Sequence, residues 1–171
     1  KLAGATYVLG ADPALASGGQ GRWTLTPTAD LADGIYDVEV VTRNAGGISS
    51  ADETTAELQL DATPPDALTV NASAAMPVTG GFAARDTARL AVTFNGRTYI
   101  LGQDAELTAS GDAWTLSGEA GPGAYDVEAE AADRLGNSSR DTTANELVIP
   151  LPPPEIPTVA ALSTNNRQPL I

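Results

Sequence analysis

The apolar positions of this chain fall in short alternating runs separated by Gly, Pro, Asn and Asp, the pattern of half-buried strands joined by turns. Across 64–152 these runs predict seven strands, at 68–72, 76–81, 88–95, 98–101, 113–117, 124–132 and 145–149. The sixth is the plainest: Tyr125, Val127, Ala129 and Ala131 share one face, and Asp126, Glu128 and Glu130 the other. Asn95-Gly96 separates the third and fourth runs, and both residues tolerate positive φ, so a tight hairpin is expected there. Gly, Thr and Pro interrupt the Ala-rich stretches every few residues, and no helix beyond a single turn is expected.

The chain also repeats itself. Thr6-Tyr7-Val8-Leu9-Gly10 returns as Thr98-Tyr99-Ile100-Leu101-Gly102, Trp23-Thr24-Leu25 as Trp114-Thr115-Leu116, and Gly34-Ile35-Tyr36-Asp37-Val38-Glu39 as Gly123-Ala124-Tyr125-Asp126-Val127-Glu128. The spacing drifts from 92 to 89 residues, which places short insertions in loops and keeps the apolar blocks aligned. Three segments follow: 1–63, an incomplete repeat whose opening strands are missing; 64–152, a complete repeat; and 153–171, a linker with the opening strands of a third. The open edges of the first segment are expected to invite edge-strand contact with another copy.

Composition narrows the function. With no Cys and no His, disulfides, zinc fingers, thiol nucleophiles and His-based triads are excluded, and no enzyme is expected. Thirty Ala inflate the apolar fraction of 42%, so large core side chains are scarce and each core is small. A net charge of −13 disfavours nucleic acid and anionic membranes and favours cations. No apolar run approaches the about 18 residues of a membrane span, so membrane insertion is not expected. The first ten residues lack the layout of a signal peptide, so any export signal is expected elsewhere in a longer chain.

Seven strands in a unit of this size predict an all-β fold of tandem immunoglobulin-like or fibronectin-III-like antiparallel β-sandwiches. Tyr36 and Tyr125 are placed as tyrosine corners whose hydroxyls tie down the preceding loop, Trp23 and Trp114 as core residues, and Phe82 as the one aromatic left in a loop. The blocks Tyr-x-Leu-Gly, Trp-Thr-Leu, Gly-x-Tyr-Asp-Val and Ala132-Asp133-Arg134-Leu135-Gly136-Asn137-Ser138-Ser139, in this order, resemble the bacterial Ig-like tandem repeats of large RTX-type surface adhesins. The resemblance implies an extracellular, non-catalytic extender at the bacterial cell surface. Its partners would be neighbouring repeats of the same chain, with Ca2+ stiffening the junctions.

Calcium needs six to eight oxygen ligands from converging segments. Alternating strands bring the loops holding Asp86, then Asp104, Glu106 and Asp112, then Asp133, Asn137 and Asp141 to one pole, facing Asp30, Asp33 and the linker from Asp61 to Asp66. Through the family pattern Asp61, Asp133 and Asn137 are the foremost ligand candidates; Asp33, Asp66 and Asp104 complete the set. The first repeat carries Asn44 and Ile48 at the equivalent loop, and Pro150 replaces the repeat-ending Asp, so metal is expected between the first and second repeats and little between the second and third. Asp37, Glu39, Asp126 and Glu128 read as solubility charges on an outer face. Two rival readings are a glycan- or protein-binding module and an accessory domain of a secreted enzyme.

Overall fold

A computed structural model describes residues 1–66 and 68–161, together with Ser163, Asn165, Arg167 and Gln168. The described residues are all-β, with antiparallel sheets and no helix. The first repeat carries β1 (Leu15–Gly19), β2 (Arg22–Leu25), β3 (Gly34–Tyr36), β4 (Val41–Arg43), β5 (Ser49–Ala51) and β6 (Leu58–Leu60). The second carries β7 (Thr69–Val70), β8 (Val78–Gly81), β9 (Arg89–Phe94), β10 (Arg97–Ile100), β11 (Leu107–Ser110), β12 (Ala113–Leu116), β13 (Gly123–Tyr125), β14 (Val127–Ala132), β15 (Ser138–Arg140) and β16 (Leu147–Ile149).

In the second repeat two four-stranded sheets, ordered β11-β12-β8-β7 and β10-β9-β14-β15, turn their apolar faces to one core. Val78, Leu107, Trp114 and Leu116 enter it from one sheet, and Leu90, Val92, Phe94, Val127, Ala129 and Ala131 from the other. The alternation read in 124–132 is therefore the core face of β14. Asn95 (φ 50°) and Gly96 (φ 77°) form the turn between β9 and β10, as their positive-φ tolerance demands. Phe82 lies in the loop after β8, where the sequence places it, and is nevertheless buried in the core, with Phe82 N donating to Asp112 O at 2.9 Å.

Two strands escape the alternation test. β11, which pairs with β12, is four residues of which only Leu107 is buried, and β15, which pairs with β14, is three polar residues, so neither shows a run long enough to be counted. The expected sixth strand divides at Asp126. Its first part, β13, pairs with β16, and its second, β14, pairs with β9. Asp126 Oδ1 accepts Asn145 N at 2.7 Å and Glu146 Oε2 accepts Val127 N at 2.9 Å, so two carboxylates satisfy the backbone donors freed where the strand changes sheet. The first repeat copies the device with Asp37 accepting from Ala56 N (2.7 Å) and Glu57 from Val38 N (2.9 Å). Asp37 and Asp126 thus hold the backbone together rather than serving only as solubility charges.

The strands of the first repeat pair only as β1-β2, β3-β6 and β4-β5, the counterparts of β11-β12, β13-β16 and β14-β15. No strand corresponding to β7–β10 occurs among the described residues of the first repeat; Thr6-Tyr7-Val8, which match β10, are described but form none, and Trp23 is 44% exposed where Trp114 is 0% exposed. Residues 151–161 have no regular structure and are exposed; the opening strands expected within 153–171 fall partly outside the described residues.

Candidate functional site

The register places the start of β9 and the ends of β10 and β14 at one end of their sheet, so the loops that follow 100 and 132 and precede 89 share that end. The loop 133–137 is built around Asp133, which is 8% exposed. Its Oδ1 accepts three backbone N–H groups, from Leu135 (2.8 Å), Gly136 (2.7 Å) and Asn137 (2.9 Å), and its Oδ2 accepts Asn137 Nδ2 at 2.7 Å. Gly136 at φ 95° supplies the left-handed bend that turns these donors inward. The Asn137 side chain, with the three N–H groups, holds the Asp133 carboxyl below its ordinary value against the opposing effect of burial.

Asn137 Nδ2 also donates to Asp61 O at 2.9 Å, a hydrogen bond from the second repeat to the linker that ends the first. The linker is gripped from the other side by Asp33: its Oδ1 accepts Ala62 N at 2.8 Å and its Oδ2 accepts the Thr63 hydroxyl. The Thr63 hydroxyl, then the Ala62 N–H, lowers the Asp33 pKa. Asp61 Oδ1 accepts Thr63 N at 3.2 Å, a local turn within the linker. Four of the six sequence candidates, Asp33, Asp61, Asp133 and Asn137, therefore share one hydrogen-bonded seam.

The other two do not join it. Asp66 is exposed on the linker. Asp104 pairs with Arg97 Nη2 at 3.0 Å and accepts Ile100 N at 2.8 Å; that N–H, then the guanidinium, lowers its pKa. Its counterpart Asp12 accepts Val8 N at 2.5 Å, so the repeated role of this Asp is to close the turn after the fourth expected strand. Glu106 is likewise drawn to Arg97, at 3.3 Å. In the first repeat Asn44 Oδ1 accepts Ile48 N at 3.0 Å, which retains the loop but not the charge or the outward donor. At the far end of the second repeat Pro122 and Pro150 stand where Asp33 and Asp61 do, which removes both grips on that linker.

No protein-family model matches the chain, and no curated protein matches it.

Every donor the seam offers to a cation is an oxygen, the chemistry that calcium takes. Most of those oxygens already accept N–H groups, and no group of three or more acidic residues able to hold a metal occurs among the described residues. The sequence singles out Asp133 and Asn137 as calcium-ligand candidates, whereas the hydrogen bonds that build the loop 133–137 around Asp133 are visible only in the structure. The Asp33 grip on Ala62 and Thr63 was not foreseen as a hydrogen-bonded clamp, since it joins residues about thirty apart.

Proposed function

We propose that the chain is part of a structural extender, a pair of immunoglobulin-like repeats of the kind found in large bacterial surface adhesins, working outside the cell as a spacer and not as an enzyme. The hydrogen bond from Asn137 to Asp61 O carries the reading, because it ties the loop of one repeat to the exit linker of the other. A spacer needs that junction stiff, and here Asp133 rigidifies the donor while Asp33 rigidifies the acceptor. The two sheets around one core and the hydroxyl bonds of Tyr36 to Ala32 O (2.7 Å) and Tyr125 to Gly121 O (3.2 Å) support the immunoglobulin-like part of the reading.

Calcium belongs to this proposal as a cation bound at the seam, drawing on Asp33, Asp61, Asp133 and the amide oxygen of Asn137. At the about 0.1–1 mM affinity usual for extracellular sites, it would bind outside the cell and not in the cytosol. Small-angle scattering of the 171-residue chain with calcium and with chelator tests both parts. A larger and sharper maximum dimension with calcium, abolished by Asn137→Ala, is the expected result. If calcium changes nothing while Asn137→Ala still loosens the chain, the metal is removed and the hydrogen-bonded junction stays. If neither changes the scattering, the junction is not a stiffening element.

A further inference from the structure

Between β4 and β5 in the first repeat, and between β14 and β15 in the second, the chain builds one loop shape with two sets of side chains. Each loop is closed by one backbone bond, from Asn44 N to Ile48 O at 2.9 Å and from Asp133 N to Asn137 O at 3.0 Å. Gly47 (φ 82°) and Gly136 (φ 95°) take the same left-handed place. The opening side chain accepts the last N–H of the loop in both, Asn44 Oδ1 from Ile48 at 3.0 Å and Asp133 Oδ1 from Asn137 at 2.9 Å. The backbones are therefore interchangeable, and the difference lies in the last side chain. One amide hydrogen of Asn137 goes to Asp133 Oδ2 at 2.7 Å, which points the other at Asp61 O, whereas Ile48 has no donor to offer.

The linkers differ in the complementary way. Asp61 O is presented to Asn137 by a segment that Asp33 grips at Ala62 N and at the Thr63 hydroxyl. By the repeat spacing Pro122 stands at the place of Asp33, Pro150 at that of Asp61 and Pro152 at that of Thr63. A proline brings neither carboxylate, hydroxyl nor N–H, so the second linker keeps a carbonyl and loses what would hold it in place. The first repeat thus has the receiving linker without the donating loop, and the second has the donating loop without the receiving linker.

We propose that the seam is a keyed joint: a linker held by Asp33 takes a loop of the Asp133–Asn137 type and refuses one of the Asn44–Ile48 type, so repeats of these two kinds lock only in the order in which they stand here. An isoleucine in place of Asn137 brings an alkyl group against Asp61 O and leaves that carbonyl without its donor. A linker without Asp33 offers the carbonyl in no fixed position, and the ordering cost then falls on the joint itself. The inference rests on the spacer reading for its purpose and deepens it, because the order of repeat kinds then sets where a tandem chain is stiff. The hydrogen-bonded key itself needs no calcium.

The chain has no Cys, so Ser50→Cys in β5 and Ser110→Cys in β11 give one exposed spin-label site on each repeat. Pulsed dipolar spectroscopy of the full chain, in chelator and again in calcium, reads the spread of distances between the repeats. Asp133→Asn, Arg134→Ala, Leu135→Gly and Asn137→Ile together write the first loop onto the second repeat, and Asp33→Ala with Thr63→Ala releases the linker. The expected result is a narrow native distribution in chelator that is lost with either change and grows no broader when both are combined, because one joint needs both halves. Asn137→Ile alone should act as the whole graft does, with circular dichroism unchanged, which separates a lost key from a lost fold. A narrow native distribution that survives the graft and Asn137→Ile overturns the key and leaves the spacer reading standing. Narrowing that requires calcium assigns the joint to the metal and overturns the key as well, as does a combined variant broader than either part. A native distribution as broad as those of the variants under both conditions overturns the spacer reading and the key together.

Discussion

Asp133 collects four N–H groups within one loop, and its charge is what those donors favour. Its folded pKa lies below the ordinary 3.8, so the unfolded chain binds the proton more readily. The stabilisation is complete above that ordinary value and is lost as pH falls through the lowered folded one. Asp133→Asn is therefore expected to lower the melting temperature at neutral pH and to flatten the acid limb of the stability curve, read by circular dichroism at successive pH values. Asp33 and Asp104 follow the same sign, so the acid limb should flatten in part rather than vanish. Asp133 and Asn137 stood out in the sequence only as ligand candidates, and the loop they build was not read from it; the contact from Asn137 to Asp61 spans 76 residues and has no local signature.

Among the elements, β8 shows how tightly the sheets pack. Gly80 runs between Thr69 and the Trp114 indole with no room for a side chain, and Gly80→Val is expected to destabilise the second repeat by about 1–3 kcal/mol, measured as a shift of the urea midpoint. Tyr125→Phe removes a hydroxyl donor and keeps the ring, which makes an edge contact with Phe94 at 5.4 Å. Its expected cost is about 1 kcal/mol, that of one hydrogen bond. The alternation of β9 and β14 announced these strands, since two-residue periodicity is imposed by one buried face. β11 and β15 were too short to stand out, because each is an edge strand that buries one residue or none. The break between β13 and β14 was hidden because Asp126 continues the alternation while its carboxylate caps a change of sheet.

Across the whole molecule the two repeats share a sequence pattern and differ in burial. Leu116→Ala removes a fully buried side chain and is expected to cost about 2–5 kcal/mol, whereas Leu25→Ala, at the half-covered equivalent site, is expected to cost about 1 kcal/mol or less. Hydrogen exchange should show the same contrast: amides of β2 and β4, each paired on one side, are expected to exchange faster than those of β12 and β14. Equal protection in the two repeats would mean that the first repeat is covered in solution.

The alternating pattern, the turn residues and the repeat spacing by themselves determined the class of structure, most of the strand-forming stretches and the equivalence of the two repeats, because each depends on neighbours within a few positions or on comparison of the chain with itself. Which face of each repeat is covered, which carboxylates hold backbone rather than face solvent, and the meeting of Asn137 with Asp61 were decided only by the tertiary structure. Identical words such as Trp-Thr-Leu give a buried indole in one repeat and an open one in the other, since burial belongs to what packs opposite a residue and not to the residue itself.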